Sequence, residues 1–412
     1  MPHPSDVVIR PLAEGEWDRA HDQTDLAFHR STRGPRRDRM RTWTVQPDTV
    51  VADDGGRIVG TAAAWRWTVS VPGGELPCAG VTIVTVRPTH RRRGILRAMM
   101  ARIADEARAA GEPLAALWAS EGAIYGRFGY GVAARVQTLR VQTRGGVPLR
   151  APVPEPLGVE LLEPEDAHPV VASIYERARA RRGGIMSRRD ADWWTKRVLG
   201  NAPDEIAAQG PLRVVVAGDD GYALYRVEEG AETSPVSAWT TVHVKELVAA
   251  TAEAERTLLT YLTRIDLADE VLLPGRPVDD ALVLAPVDAR AVQPEATHDA
   301  LWLRILDVPG AVAGRSWAAD AQAVVEVEHP EDDHVAGRWA LRVGPDGGTA
   351  ERTDAAPDVV LHARDLAAAY LGDATLTALH DAGVVEERTA GTLSALDAAL
   401  RTDRAPWTVG VF

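Results

Sequence analysis

Val81–Arg97, VTIVTVRPTHRRRGILR, is the stretch on which the reading of this chain turns. Val81 to Val86 are all β-branched, the composition of a buried strand. Pro88 has no N–H to give a ladder, so the strand stops near Arg87. A short basic loop leads to Gly94, after which Leu96, Met99, Met100, Ile103 and Ala107 share one face of a helix. A glycine at a helix start lets a ligand reach the backbone without meeting a Cβ. The unbonded N–H groups of a first turn, at the positive end of the helix dipole, favour phosphate. Arg91, Arg92 and Arg93 add charge, so the stretch reads as a strand, a basic turn and a helix able to hold a pyrophosphate. Taken alone, R-x-x-G is short, and an ordinary solvated basic turn satisfies it too.

Upstream, Val7–Pro11 (VVIRP) predicts a first strand, and Ala13–Arg30 a helix with Trp17, Ala20, Leu26 and Phe28 facing a core. Arg30–Arg41 is dense in arginine and reads as a solvated loop, the alternative being a lid at the mouth of a cleft. Thr49–Ala52 and Ile58–Val69 read as strands joined by DDGG at Asp53–Gly56, a strong hairpin signal. Downstream, the helix ends near Gly111 and Pro113–Ala119 (PLAALWA) is a further strand. Ser120–Gly131, SEGAIYGRFGYG, follows; Phe128 and Tyr130 read as core aromatics. Tyr125 lies just past a strand end, where open α/β sheets place their ligands. A phenol there either packs into the core or protonates a departing thiolate.

In this order, V-T-V followed by R-R-R-G-I-L, then S-E-G-A-I-Y-G-R-F-G-Y-G, resemble the Eis (enhanced intracellular survival) family of actinobacterial N-acetyltransferases, within the GNAT superfamily. Leu96 stands where the general GNAT motif has Gly or Ala, a departure this family tolerates. The resemblance implies an α/β (α+β) chain of two tandem GNAT-like domains and a sterol-carrier-like domain, here expected at residues 1–150, 151–288 and 289–412. It implies acetyl-CoA as co-substrate. The backbone of Val84, Thr85 and Val86 would line the pantetheine and thioester. Arg92, Arg93, Gly94, Ile95, Leu96 and Arg97 would hold the pyrophosphate, with Ser120 and Glu121 beside the pantetheine. Tyr125 would protonate the coenzyme thiolate. It also implies a C-terminus that reaches the transfer site, where the Phe412 carboxylate takes the amine proton. Val411 precedes that residue, where the family pattern has an acid. Amine acceptors, either aminoglycosides or lysine side chains, and a homohexamer complete what the resemblance implies.

An internal repeat supports this layout. After a Pro-rich joint at 147–158, Val159–Leu162 mirrors the first strand and Pro164–Arg181 the first helix. Leu212–Val227, with its GDDG turn, mirrors the hairpin; Thr241–Leu247 mirrors the central strand and Ala252–Ile265 its helix. The equivalent loop, VAATAEAER, has no glycine and no arginine cluster, and it carries Glu253 and Glu255. A pyrophosphate would be repelled there, so the second unit reads as GNAT-like without a cofactor site. Asp288–Pro294 is a second joint. Beyond Ala300 come strands such as AVVEVE and RWALRV, then short helices over Asp365–Tyr370 and Leu393–Leu400.

With 412 residues and 45% hydrophobic content, the chain can build two or three cores. No run of eighteen apolar residues occurs, so no membrane-spanning helix is expected. MPHPSDVVIRPL lacks the zones of a signal peptide. The single cysteine, Cys78, excludes an intrachain disulfide and a cysteine metal site, and reads as a buried structural residue. A cytoplasmic enzyme with no metal is the expectation. A net charge of −13 argues against a general nucleic-acid binder and suits cationic substrates. The apolar end, APWTVGVF, is unusual for a free tail and reads as a tucked strand or as a terminus held at a site. Asp22 and Asp25 are the next candidates for a base. The rival from another class is a lipid- or sterol-binding carrier built on the C-terminal domain, whose apolar face otherwise is a plain core.

Overall fold

The computed structural model describes residues 7–44, 49–143, 146–151, 153, 157–188, 190–229 and 240–410. Phe412 and Val411 lie outside them. Two compact units divide the chain: one built from the stretch ending at Ala133 with Leu301–Thr402, the other from Ala134–Ala300 with the tail from Asp403.

In the first unit, β1 (Val7–Pro11), β2 (Val50–Asp54), β3 (Arg57–Val71), β4 (Gly74–Val86) and β5 (Leu114–Leu117) are neighbours in that order. β1 to β4 form an antiparallel meander. β4 and β5 are parallel, because α3 (Ile95–Ala109) carries the chain back between them. Met99, Met100, Ile103 and Ala107 of α3 are buried against Val50, Val59 and Ala62, the face the sequence spacing predicts. The DDGG turn places Gly55 and Gly56 at φ 58° and 88°, conformations that β-carbons resist. β4 begins seven residues earlier than its apolar run; GELPCAG, with two glycines and Pro77, conceals a strand that pairs fully with β3.

Two expectations for the N-terminal segment need correction. The Arg30–Arg41 stretch is not a loop: α2 spans Gly34–Thr44. Arg37 donates to Asp18 and Asp22 of α1 (Trp17–Ala27), and Arg37 and Arg41 lie 5.5 and 4.7 Å over the Trp17 ring. Charge that looked solvated is instead spent on a neighbouring helix. Leu26 is exposed, and the inward face of α1 carries His21, Gln23 and Asp25 beside Trp17 and Ala20. Asp25 takes that place because its carboxylate accepts the N–H (2.6 Å) and hydroxyl (3.1 Å) of Thr32.

The second unit repeats this topology. β6 (Gly131–Gln142), β7 (Val159–Leu162), β8 (Arg213–Ala217), β9 (Gly221–Glu229), β10 (Thr240–Ala249) and β11 (Ala268–Pro277) run in the order β7-β8-β9-β10-β11-β6. Again the meander is antiparallel and the β10–β11 pair is parallel, with helix Ala252–Leu262 between them. The sixth strand of each sheet is exchanged. Val136–Gln142 follow the first repeat in sequence but pair with β11, whereas Trp302–Ile305 of β12 (Val292–Ile305) follow the second repeat and pair with β5.

A separate five-stranded sheet, β15-β14-β13-β16-β17, is built from β13 (Ala321–Glu328), β14 (Gly337–Gly344), β15 (Gly347–Arg352), β16 (Val359–His362) and β17 (Val385–Glu387). Trp317, Val325, Trp339, Leu341, Tyr370 and Leu400 close around a cavity of about 20 Å³, room for a single water and far short of a sterol. Among the described residues of the tail, 403–410, there is no strand. Trp407 anchors it within the second unit: its backbone N–H donates to Gly183 (2.8 Å), its indole N–H to Gly275 (2.7 Å), and Arg276 lies 5.6 Å over its ring. Cys78 is fully buried, and burial, with the Glu112 charge, pushes its thiol well above the ordinary range, so it is no nucleophile.

Candidate active site

The site starts from a defect in β4. Thr61 pairs with Thr85, but Ala63 pairs with Thr82, so β4 carries one residue more than β3 across that step. Ile83 absorbs the bulge at φ 46°, a conformation rare for a β-branched residue, and such bulges gather next to functional sites. Thr61 holds it there: its hydroxyl donates to the Ile83 carbonyl (2.8 Å) and lies 2.7 Å from the Thr85 hydroxyl. On the other side of β4, the parallel ladder to β5 runs only from Cys78↔Leu114 to Gly80↔Ala116. Past that point no further pair to β5 exists among the described residues, and the β5-side backbone edge of half-buried Val84 and Val86 and of buried Thr85 is left without a ladder.

The loop after β4 is shaped for an anion. His90 fixes its entry, with Nε2 2.9 Å from Asp54 and Nδ1 2.8 Å from the Thr89 hydroxyl. Arg92 is left-handed at φ 62° and Gly94 at φ 78°; backbone turns of this kind form concave N–H sites. A Cβ on Gly94 would meet nothing within 4 Å, so the glycine serves conformation and approach rather than packing. Among the described residues no side chain caps α3, whose first turn holds no acid. Its N–H groups at Ile95, Leu96 and Arg97 are therefore available. The half-buried Leu96 side chain packs on the core. Arg91 and Arg92 are exposed and Arg93 half-buried, while Arg97 is paired with Glu331 at 2.9 Å. The second repeat contrasts at each point. Thr251 accepts the Ala254 N–H (3.2 Å) and caps its helix, and the first turn holds Glu253 and Glu255. Glu255 is in turn paired with buried Arg276.

Tyr125 closes α4 (Gly122–Tyr125), the short helix after β5. Its ring is 5% exposed and meets Tyr130 edge-on with centres 6.0 Å apart. Burial pushes the phenol up to about 12; the Glu121 charge adds to this and a hydrogen bond with Ser120 opposes it. The group is thus a protonated phenol at neutral pH. Ser120 and Glu121 are exposed beside it. Phe128 and Tyr130 are buried, as core aromatics should be. Val84–Val86, Arg92–Arg97 and Ser120–Tyr125 all belong to the first unit, at the end of β4, on the loop after it and the first turn of α3, and on the turn and short helix after β5. Phe412 lies outside the described residues. The reserve bases are occupied, Asp25 by Thr32 and Asp22 by Arg37 (2.7 Å). Sequence reasoning missed the residues that back the site from afar: Glu331 on Arg97, Asp332 on Arg304 and Arg108, and His329 beside Gly129. No local signal marks them.

Residues 8–133 match an acetyltransferase (GNAT) domain family, residues 185–308 a second acetyltransferase (GNAT) domain family, and residues 308–409 a sterol carrier protein domain. An uncharacterised N-acetyltransferase of Streptomyces coelicolor is 38% identical over 359 residues, covering 85% of this chain and 84% of that one. The N-acetyltransferase Eis of Mycobacterium tuberculosis is 33% identical over 368 residues, 85% of each chain. The crystal structure of Eis1 from Mycobacterium abscessus aligns with a TM-score of 0.87 at 34% identity, over 98% of this chain and 100% of that one.

Gly94→Trp tests the loop. The substitution strains a left-handed position and puts an indole into open space before α3. Calorimetry is expected to show no acetyl-CoA binding by this variant, and an affinity equal to that of the unaltered chain would remove the loop from the site.

Proposed function

The chain belongs to the Eis family of N-acetyltransferases, and we propose that it moves acetyl from acetyl-CoA straight to an amine with no covalent enzyme intermediate. The observation that carries the mechanism is a buried, protonated Tyr125 on the turn after β5, the strand that β4 leaves beyond Gly80. In this reading Gly94–Arg97 and the loop arginines hold the pyrophosphate, and the pantetheine enters between the parted strands past Ser120 and Glu121. Backbone N–H groups of Val84–Val86 polarise the thioester carbonyl and stabilise the oxyanion. The neutral amine attacks the carbonyl carbon and forms the C–N bond. Collapse breaks the C–S bond, and the sulfur takes the Tyr125 proton. Burial disfavours the resulting phenolate, which therefore recovers a proton readily.

The incoming amine must lose a proton. The family resemblance supplies the Phe412 carboxylate for this, acting directly or through water, since a terminal carboxyl of pKa ~3.5 is a weak base unless its site raises it. The acceptors in this reading are cationic amines, aminoglycosides or lysine side chains, drawn by the net charge of −13. A cytoplasmic homohexamer belongs to the same proposal.

Two measurements test the roles. Tyr125→Phe keeps the ring and loses the proton donor. Thiol-release assays are expected to show turnover lowered ~10²–10⁴-fold, the usual worth of general acid catalysis, with acetyl-CoA affinity little changed. Undiminished turnover would leave Tyr125 a core aromatic. A short polar tag after Phe412 is expected to cut turnover strongly while the same tag at the N-terminus does little; equal rates for both would dismiss the terminal carboxylate as base.

A further inference from the structure

The turn that carries Tyr125 is gripped from far along the chain. Gly129 is left-handed at φ 83°, and a Cβ there would stand 2.7 Å from His329 Nε2 and 3.6 Å from Ala363 Cβ. A Cβ on Gly126 would lie 3.5 Å from Arg364 Cδ, and one on Gly131 would overlap the Arg364 carbonyl. Gly129 and Gly131 are therefore small because another segment lies against them, whereas at Gly126 the contact with Arg364 is an ordinary one. His329 is 4% exposed. Its Nδ1 accepts the Glu331 N–H at 3.3 Å, which leaves the proton on Nε2; that nitrogen is buried against the Gly129 turn and makes no hydrogen bond of normal geometry among the described residues, though the Phe128 carbonyl acts on it. Burial, then the Arg304 charge, holds the imidazole below its ordinary range, with Asp332 and the Phe128 carbonyl opposing. It is neutral at pH 7.

The same loop reaches the coenzyme helix. Glu331 pairs with Arg97 of α3 at 2.9 Å, and Asp332 accepts from Arg108 of α3 and from Arg304 (2.6 Å). Arg304 lies 5.9 Å from the centre of the Tyr130 ring, the ring against which Tyr125 stands edge-on. One loop, residues 329–332, thus touches both the turn bearing the phenol and the helix whose N-terminus faces the loop arginines.

We propose that His329 is a positioning residue for Tyr125, its Nε2–H holding the Gly126–Gly131 turn so that the phenol points at the coenzyme sulfur. The inference rests on Tyr125 being the general acid. Proton transfer needs hydrogen-bond distance, and an error of about 1 Å in such a group costs on the order of 10²-fold in rate. A neutral imidazole of fixed tautomer suits this work, because its Nε2–H can close on the Phe128 carbonyl when the coenzyme is bound without adding a buried charge.

The test is a double-mutant cycle on the full chain, with kcat from thiol release and acetyl-CoA affinity from calorimetry. His329→Leu keeps the bulk and removes the N–H. It is expected to lower kcat by roughly 10–100-fold with affinity within about twofold. In a Tyr125→Phe background the same change is expected to alter kcat less than about twofold, because no phenol remains to be aimed. His329→Gln, whose amide N–H reaches as far as Nε2, is expected to retain kcat within about fivefold. His329→Asn is too short and should behave as Leu does, and it carries the cycle if the Leu variant does not fold. An unchanged kcat in His329→Leu or His329→Asn overturns the proposal. So does an equal loss with and without the phenol, which would make His329 a packing residue. If Tyr125→Phe alone leaves kcat intact, the acid assignment has failed and His329 has nothing to position. If Tyr125→Phe is slow and the His329 variants are not, only the present inference has failed.

Discussion

β4 pairs with β3 along its whole length but with β5 only from Cys78 to Gly80, and the rest of the site follows from that split. A sheet strand normally satisfies both of its edges. Here one edge is given up just where the extra residue at Ile83 turns the chain, and Thr61 keeps the bulge from relaxing. Polar backbone groups at such an edge are costly to bury unpaired, so the opening suits a ligand that is itself rich in amides, as a pantetheine arm is. The helix that begins at Ile95 then offers its own unbonded N–H groups, after a left-handed Gly94 that leaves the approach clear.

The two repeats make this argument a comparison within one molecule. Both have the same strand order and the same parallel pair with a helix between. Only the first has a glycine opening its helix and a cluster of arginines before it. The second closes its helix with Thr251 and acids of the first turn, one of them tied to Arg276. The same architecture thus carries two different helix N-termini, one open and one occupied by the chain itself. The sixth strands, β6 and the end of β12, are exchanged: each repeat's strands are joined by one that lies beyond the other repeat in sequence.

What was legible in the sequence was local: the strand, the basic loop with Gly94 and the buried face of α3 depend on neighbours within a few residues, whereas Tyr125 read alone fits a core aromatic as well, and its role came from the family resemblance. The helix at Gly34–Thr44 was hidden because its arginines find their partners on α1, at Asp18 and Trp17. Leu26 misled for a related reason: an Asp25 satisfied by Thr32 takes the inward place that hydrophobicity assigns to the leucine. The bulge at Ile83 left no trace in an unbroken β-branched run. Nor could the support from the last third of the chain be read, since Asp332 and Arg108 are 224 residues apart.

The most direct measurement is a calorimetric titration of the full chain with acetyl-CoA. A single N-terminal coenzyme site predicts one equivalent bound per chain. Two equivalents would mean that the second repeat has kept its site in spite of Thr251, Glu253 and Glu255; none would mean that the open edge of β4 and the free end of α3 serve some other ligand.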